Sequence, residues 1–586
     1  MLGTTSRLIR FASAGACGFV LAACGSDHTS PTQPPPQLQA CGNGGVVQLS
    51  TPQSATLACS SGTSVTLAGD GASYLIVPQY ATGAAVNTLD SYKIGIVAGA
   101  SANVVASNGP SFDQVAPPAG RRSIVPPAVR RRGRQRAFDA LLMNEARRQV
   151  ESGAWQAGRS PSPASPAHSA SVPGIGTVQQ FHVLSSESPV RFTRVGARLG
   201  YIGTNVLIYV DTLAPANGFT STQLTGFGDL FDQTLYPLVV DTFGPPSDID
   251  QNGRLVMLLS PIVNALTPSA ECDTQGFIGG FFEGVDLAST DTSSNQGEIF
   301  YSLVPDPNGT VSCQHSVAEL EASTPATFVH ELQHLINFGQ HVVAHNGLPE
   351  RGWLDEGMSI VAEELGSLYY ENKFPPPTGR TNPAQLFPDS SQGFINGLLF
   401  DSYAYLLKTD TVTVTLHSDA DGGLAWRGGD WLLLRWLGDQ KGAGIYKALV
   451  QSSLTGTANI ANAAGESFDG LFGDFSLSLY TDSIPGTPKS SIPSRNRFAV
   501  RNLRRMYQRL YDTSQPSSFV PRPFPILTTP LTGMITASMV PGTMAFYRLN
   551  TTGQGNVTIQ FSRTDDTPIV AALHPQISIF RLPPGS

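Results

Sequence analysis

The stretch Thr324-Pro325-Ala326-Thr327-Phe328-Val329-His330-Glu331-Leu332-Gln333-His334-Leu335-Ile336-Asn337-Phe338 decides how the chain is read. Thr324 can cap a helix whose first position is taken by Pro325. Residues four apart on a helix project from one face, so His330 and His334 can reach a single zinc ion at about 2.0–2.1 Å. Glu331 then stands beside that metal without ligating it, which suits a base acting on metal-bound water. With 10 His among 586 residues, chance supplies only about 0.005 such motifs in a chain of this length.

A third ligand is available in Trp353-Leu354-Asp355-Glu356-Gly357-Met358-Ser359, where Glu356 lies 22 residues after His334. HELQHLINF followed by WLDEGMSIVAEEL resembles the gluzincin zinc peptidases, and more closely the hyicolysin-like neutral zinc metallopeptidases. Segments beginning at Ala197, Asp248, Asn295 and Gly428 are similar to other parts of such domains, so the resemblance covers residues 176–512. It implies an α+β fold with a zincin-type catalytic domain, Zn2+ as cofactor, and a protein or peptide substrate. It also implies His330, His334 and Glu356 as metal ligands, Glu331 as the general base, and endopeptidase rather than aminopeptidase activity. Thermolysin-like enzymes carry an Asp four residues after the Glu ligand to orient a zinc His, and here that position is Ile360. The orienting carboxylate is therefore expected from Asp355, Glu363 or Glu364. His341, His345, Tyr369, Tyr370 and His417 are equal candidates for stabilising the oxyanion.

Asp248-x-Asp250-x-Asn252-Gly253 resembles the opening of an EF-hand loop, but the twelfth position is Leu259 instead of Glu. It is either a polar turn ahead of a strand or a partial Ca2+ site. Buried strands are expected at Val206–Val210 and Leu255–Leu259, and a helix over Thr220–Phe243, interrupted at Pro237.

Outside 176–512 the sequence changes character. Residues 1–23 carry Arg7 and Arg10 and then 13 mostly small, apolar residues, too short to span a bilayer and suited to a signal peptide. Leu21-Ala22-Ala23-Cys24 resembles a bacterial lipobox, which implies lipidation of Cys24 and a lipid-anchored protein of the cell envelope, at the outer membrane if there is one. Residues 24–40 read as a flexible tether and 41–107 as a small β-sandwich-like domain. Residues 108–175 are a Pro/Arg/Ser-rich linker with one helix, and 513–586 a second small β domain. The run Arg130, Arg131, Arg132, Arg134, Arg136 is either solvated linker or a processing site that sheds the downstream part. Cys41, Cys59, Cys272 and Cys313 remain for two disulfides, and short separation favours Cys41–Cys59 and Cys272–Cys313.

The net charge of −8 excludes a polybasic nucleic-acid binder, and 14% charged residues exclude a coiled coil. The competing reading is a surface lipoprotein acting in binding or adhesion, with a catalytically idle zincin fold.

Overall fold

The core of the fold is a six-stranded mixed sheet, ordered Gly280–Phe282, Ile299–Ser302, Leu255–Leu259, Val206–Asp211, Val190–Ile202, Val178–Glu187. The strands Val206–Asp211, Leu255–Leu259 and Ile299–Ser302 run parallel, and the outer pairings are antiparallel. All five residues of Leu255–Leu259 are buried, as an unbroken apolar run requires when both sheet faces are covered. Alternation divides these strands between two cores. Ile208, Met257 and Leu259 join Phe328, Leu332 and Ile336 of the motif helix on one face. Leu207, Tyr209 and Leu258 join Phe138, Phe181 and Phe281 on the other.

The computed structural model describes residues 38–83, 89–97, 103–104, 133–157, 173–288, 291–373, 392–416, 425–514, 522–552 and 555–586. All of these belong to one unit, Gln37–Ser586. The signal segment 1–23, Cys24, nearly all of the tether, Arg130–Arg132 and His417 lie outside the described residues. No described helix is long and apolar enough to cross a membrane.

Two helices expected from sequence differ in their details. Thr220 caps Ser221–Leu230 as expected, but the chain then passes through a π-helical turn, Phe231–Leu235, before Tyr236–Phe243. Pro237 has no N–H and its ring crowds the preceding turn, so a widened turn there keeps the helix going. The motif helix is Val317–Phe338, capped by Ser316, whose hydroxyl accepts from the Glu319 N–H at 3.1 Å. Thr324 is thus not its cap and Pro325 lies inside it. The carbonyl that Pro325 leaves without a donor belongs to exposed Glu321, where water can satisfy it.

The two β regions expected at opposite ends of the chain form a single sandwich. One sheet runs Gln39–Ala40, Ser54–Ala58, Pro575–Arg581, Ser73–Tyr80, Tyr547–Thr552, Thr529–Pro530, with Asn103–Val104 also paired to Tyr547–Thr552. The other runs Ile535–Met539, Asp90–Ile96, Val557–Arg563, Ser64–Leu67, Val46–Val47. Early and late strands interleave, so neither set forms either sheet alone. Leu57, Ile76 and Ile577 of the first sheet meet Leu67, Ile94 and Phe561 of the second in one core. Alternating apolar residues announce a strand but not its partner, which is why the two halves read as separate modules.

The disulfides are Cys41–Cys59 and Cys272–Cys313. The linker's helix is Gly133–Glu151, and it packs against the six-stranded sheet: Phe138 is fully buried and meets Phe281 edge-on at 5.0 Å. Arg134 pairs with Glu187, and Arg136 is only 6% exposed, so this part of the arginine run is neither solvated linker nor an accessible processing site.

Candidate metal centre

The motif helix and the helix Gly352–Lys373 bring three ligand atoms together. His330 Nε2 and His334 Nε2 are 3.1 Å apart. Glu356 Oε2 lies 3.7 Å from His330 Nε2, and Glu356 Oε1 lies 3.6 Å from His334 Nε2. Ligands about 2.0–2.1 Å from a tetrahedral ion stand roughly 3.3–3.4 Å from one another, so the triangle fits one zinc-sized cation. Neither Glu356 oxygen has a hydrogen bond of ordinary geometry although the side chain is 1% exposed. A buried acceptor left in that state is what a metal would satisfy.

The outer imidazole nitrogens meet carboxylates. His330 Nδ1 is 2.8 Å from Glu363 Oε1, and His334 Nδ1 is 3.1 Å from Asp355 Oδ2. Asn337 Nδ2 donates to Asp355 Oδ1 at 2.5 Å. Such contacts hold each ring with its Nε2 turned toward Glu356. Glu364 faces away from the site. It accepts from Arg501 at 2.6 Å and Trp431 at 3.0 Å, with Arg435 at 3.5 Å.

Arg427, at the start of the helix Ala425–Lys441, reaches the centre from a third direction. Its Nη2 lies 3.2 Å from Glu356 Oε2 and 3.5 Å from His330 Nε2. Burial alone would raise the Glu356 carboxyl, but Arg427 and the two imidazoles hold it well below the usual range. The sequence reading missed Arg427. Nothing local singles it out, because Arg435 stands beside Trp436 in the same helix just as Arg427 stands beside Trp426.

None of the described oxyanion candidates reaches the ligands. His341 is fully buried 3.9 Å from Glu350, His345 is exposed and bonds the Gln340 carbonyl, and Tyr369 and Tyr370 contact each other towards the far end of their helix.

Glu331 lies in a cavity that it shares with one of the three candidate ligands, His334, and with Asp355, Phe281 and Phe338. Its Oε2 accepts from the Phe282 N–H at 3.0 Å. Burial lifts its carboxyl above the ordinary range despite the pull of the two imidazoles, the direction a proton acceptor requires. A residue from outside the expected catalytic region, Asp139, lines the same cavity. Burial and the charges of Glu356 and Glu331 push its carboxyl well above normal.

A second carboxylate group combines Asp248 and Asp250 with Glu298, which is 2% exposed. Asp248 Oδ1 accepts from Gly253 N–H at 3.0 Å and Asp250 Oδ1 from Asn252 N–H at 3.2 Å, so the segment is a polar turn leading into the strand Leu255–Leu259. Glu298 Oε1 accepts from the Ile249 N–H at 3.0 Å, which ties it to the same turn.

Over 176 residues the chain is 31% identical to the neutral metalloprotease ShpI of Staphylococcus hyicus. The match covers 29% of this chain and 36% of that protein, so the chain spans about a third of its relative's length. No family model matches the chain.

Proposed function

We propose that this protein is a zinc-dependent endopeptidase that works outside the cytoplasm. The observation that carries the reading is the ligand triangle of His330, His334 and Glu356 with Glu331 in the adjoining cavity. The distant metalloprotease relative supports it, and two disulfides agree with an extracellular setting. His330, His334 and Glu356 would hold the ion, with Glu363 and Asp355 orienting the two rings. Bound there, zinc would acidify a water molecule and polarise a peptide carbonyl.

The remaining work falls to the chain's own groups. Glu331, anchored by the Phe282 N–H, takes the proton of the attacking water on its carboxylate and delivers it to the leaving amine. Arg427, 3.2 Å from Glu356 Oε2, would supply a preorganised cation beside the centre for the negative charge that develops on the substrate oxygen. The carboxylates of Asp248, Asp250 and Glu298 would hold a calcium ion, which would steady the loop; Glu298 Oε2 is buried without a hydrogen bond of ordinary geometry. Lipidation at Cys24 would place the enzyme on the cell envelope.

The test is casein hydrolysis by the zinc-loaded chain beside its Glu331→Gln twin. Activity in the parent, lost with o-phenanthroline and missing from a twin that still binds zinc, is the expected result. A zinc-loaded parent that hydrolyses no protein would favour the binding-lipoprotein alternative.

A further inference from the structure

We propose that the helix Gly133–Glu151 is an internal inhibitor of the peptidase site, seated where an extended peptide substrate would lie. This rests on the peptidase reading above.

The argument begins at the sheet edge. Among the described residues, Gly280–Phe282 is the outermost strand of its sheet and pairs on one side only, to Ile299–Ser302. A free strand edge is a template for an incoming extended peptide, which binds by main-chain hydrogen bonds. Here that edge is already taken. Gln135 Nε2 donates to the Gly280 carbonyl at 2.9 Å, and its Oε1 accepts from the Gly279 N–H at 2.6 Å. A primary amide offering one donor and one acceptor to a strand reproduces what a peptide group would offer. Two residues along, the Phe282 N–H is held by Glu331 itself. The edge and the general base therefore form one continuous surface, and Gln135 sits on it.

One helical turn further, Asp139 and Leu142 reach into the cavity that contains Glu331 and His334. Asp139 Oδ1 accepts from Gln135 Nε2 at 2.6 Å, and its Oδ2 is buried without a hydrogen-bond partner. A substrate would need this space. The helix is also fastened across both walls. Arg147 Nη1 donates to the Pro349 carbonyl at 2.6 Å, just ahead of the helix that carries Glu356. Just beyond the helix, Trp155 Nε1 donates to the Gly284 carbonyl at 3.3 Å, and its ring meets Phe338 edge-on at 5.4 Å. The same segment is bounded in sequence by two stretches rich in Pro, Ser and Arg, 108–132 and 158–172, where processing would release it.

The experiment uses the full zinc-loaded chain in three forms: the parent, the double variant Gln135→Ala, Asp139→Ala, and a chain with sites for a sequence-specific protease placed in 108–132 and 158–172. Cutting the third after folding excises the helix. Each form is assayed for hydrolysis of a quenched peptide, and for binding of a fluorescent peptide hydroxamate, a metal-directed probe that needs no turnover. Displacing an intramolecular competitor should raise kcat/KM and tighten hydroxamate binding roughly tenfold or more in the double variant and the excised form. Tighter hydroxamate binding without hydrolysis would sink the peptidase reading and keep the inhibitor. Values equal to the parent's in both assays would overturn the inhibitor and make the helix an ordinary wall of the cleft. Loss of hydroxamate binding in a still-folded excised form would overturn it as well. Should the double variant fail to fold, the excised form decides alone.

Discussion

Glu363 Oε1 stands 2.8 Å from His330 Nδ1, so a residue in the middle of the helix Gly352–Lys373 sets which nitrogen of the first imidazole faces the metal position. Removing that carboxylate leaves the three ligands in place but frees the ring to rotate. Glu363→Ala should therefore weaken zinc binding roughly 10–100-fold while the fold is kept. Competition against a fluorescent chelator measures this directly, and an unchanged zinc affinity would refute the role.

Arg427 should separate catalysis from metal binding. If its guanidinium faces the developing oxyanion, Arg427→Ala lowers kcat by roughly 10²–10³ with little change in KM. Arg427→Lys should recover part of the loss. Zinc content, read by atomic absorption, should remain one per chain in both. An Arg427→Ala protein with full turnover would remove it from the mechanism.

Two buried acids give the protein a pH signature unrelated to catalysis. Burial, with the charge of Asp286 nearby, pushes Glu283 up to about 8. Burial pushes Asp286 up to about 7 despite hydrogen bonds from Tyr301 and Asn295. In the unfolded chain both acids release their protons in the ordinary carboxylate range. Between that range and pH 7–8 the folded protein holds protons that the unfolded chain has lost, so stability falls as pH rises through this window and levels off above it. Calorimetric melting of Glu283→Gln should show a shallower decline from pH 5 to 8 and a Tm at pH 8.5 raised by roughly a few degrees. An identical pH profile would contradict the assignment.

Calcium should stabilise the chain through Asp248, Asp250 and Glu298. Saturating the site raises Tm by roughly a few degrees, the usual linkage for a ligand bound only by the folded state. Asp250→Asn should abolish the response while zinc binding persists. A parent whose Tm ignores calcium would leave the cluster as a plain polar turn.

What the sequence revealed of this site followed from distance along the chain. His330 and His334 share a helix face by spacing alone, and Glu356 opens the next helix. Glu363 was one of three carboxylates in the same short stretch. Glu364, its neighbour, points away because adjacent helical residues diverge by about 100°, and only the packed structure tells which of the two meets His330. Arg427, Asp139 and Glu298 arrive from segments with no periodic or spacing link to the motif, so nothing local marks them. The strands were legible for the same reason and their partners were not. Tyr74–Val77 is an unbroken apolar run and Val557–Arg563 alternates like a half-buried strand, whereas pairing across nearly the whole chain leaves no trace in either segment.

That pairing bears on how the protein is made. Ser578 meets Thr56 across 522 positions of sequence, and its strand fills the gap between Ser54–Ala58 and Ser73–Tyr80. A nascent chain emerging amino end first therefore presents open, sticky strand edges that nothing can close until the last strand has been synthesised. Such long-range contacts form late and slowly. A ribosome product that stops early cannot complete this β-structure and remains exposed to proteolysis and aggregation. The first sheet is thus closed only when Pro575–Arg581 takes its place between two strands made about 500 residues earlier.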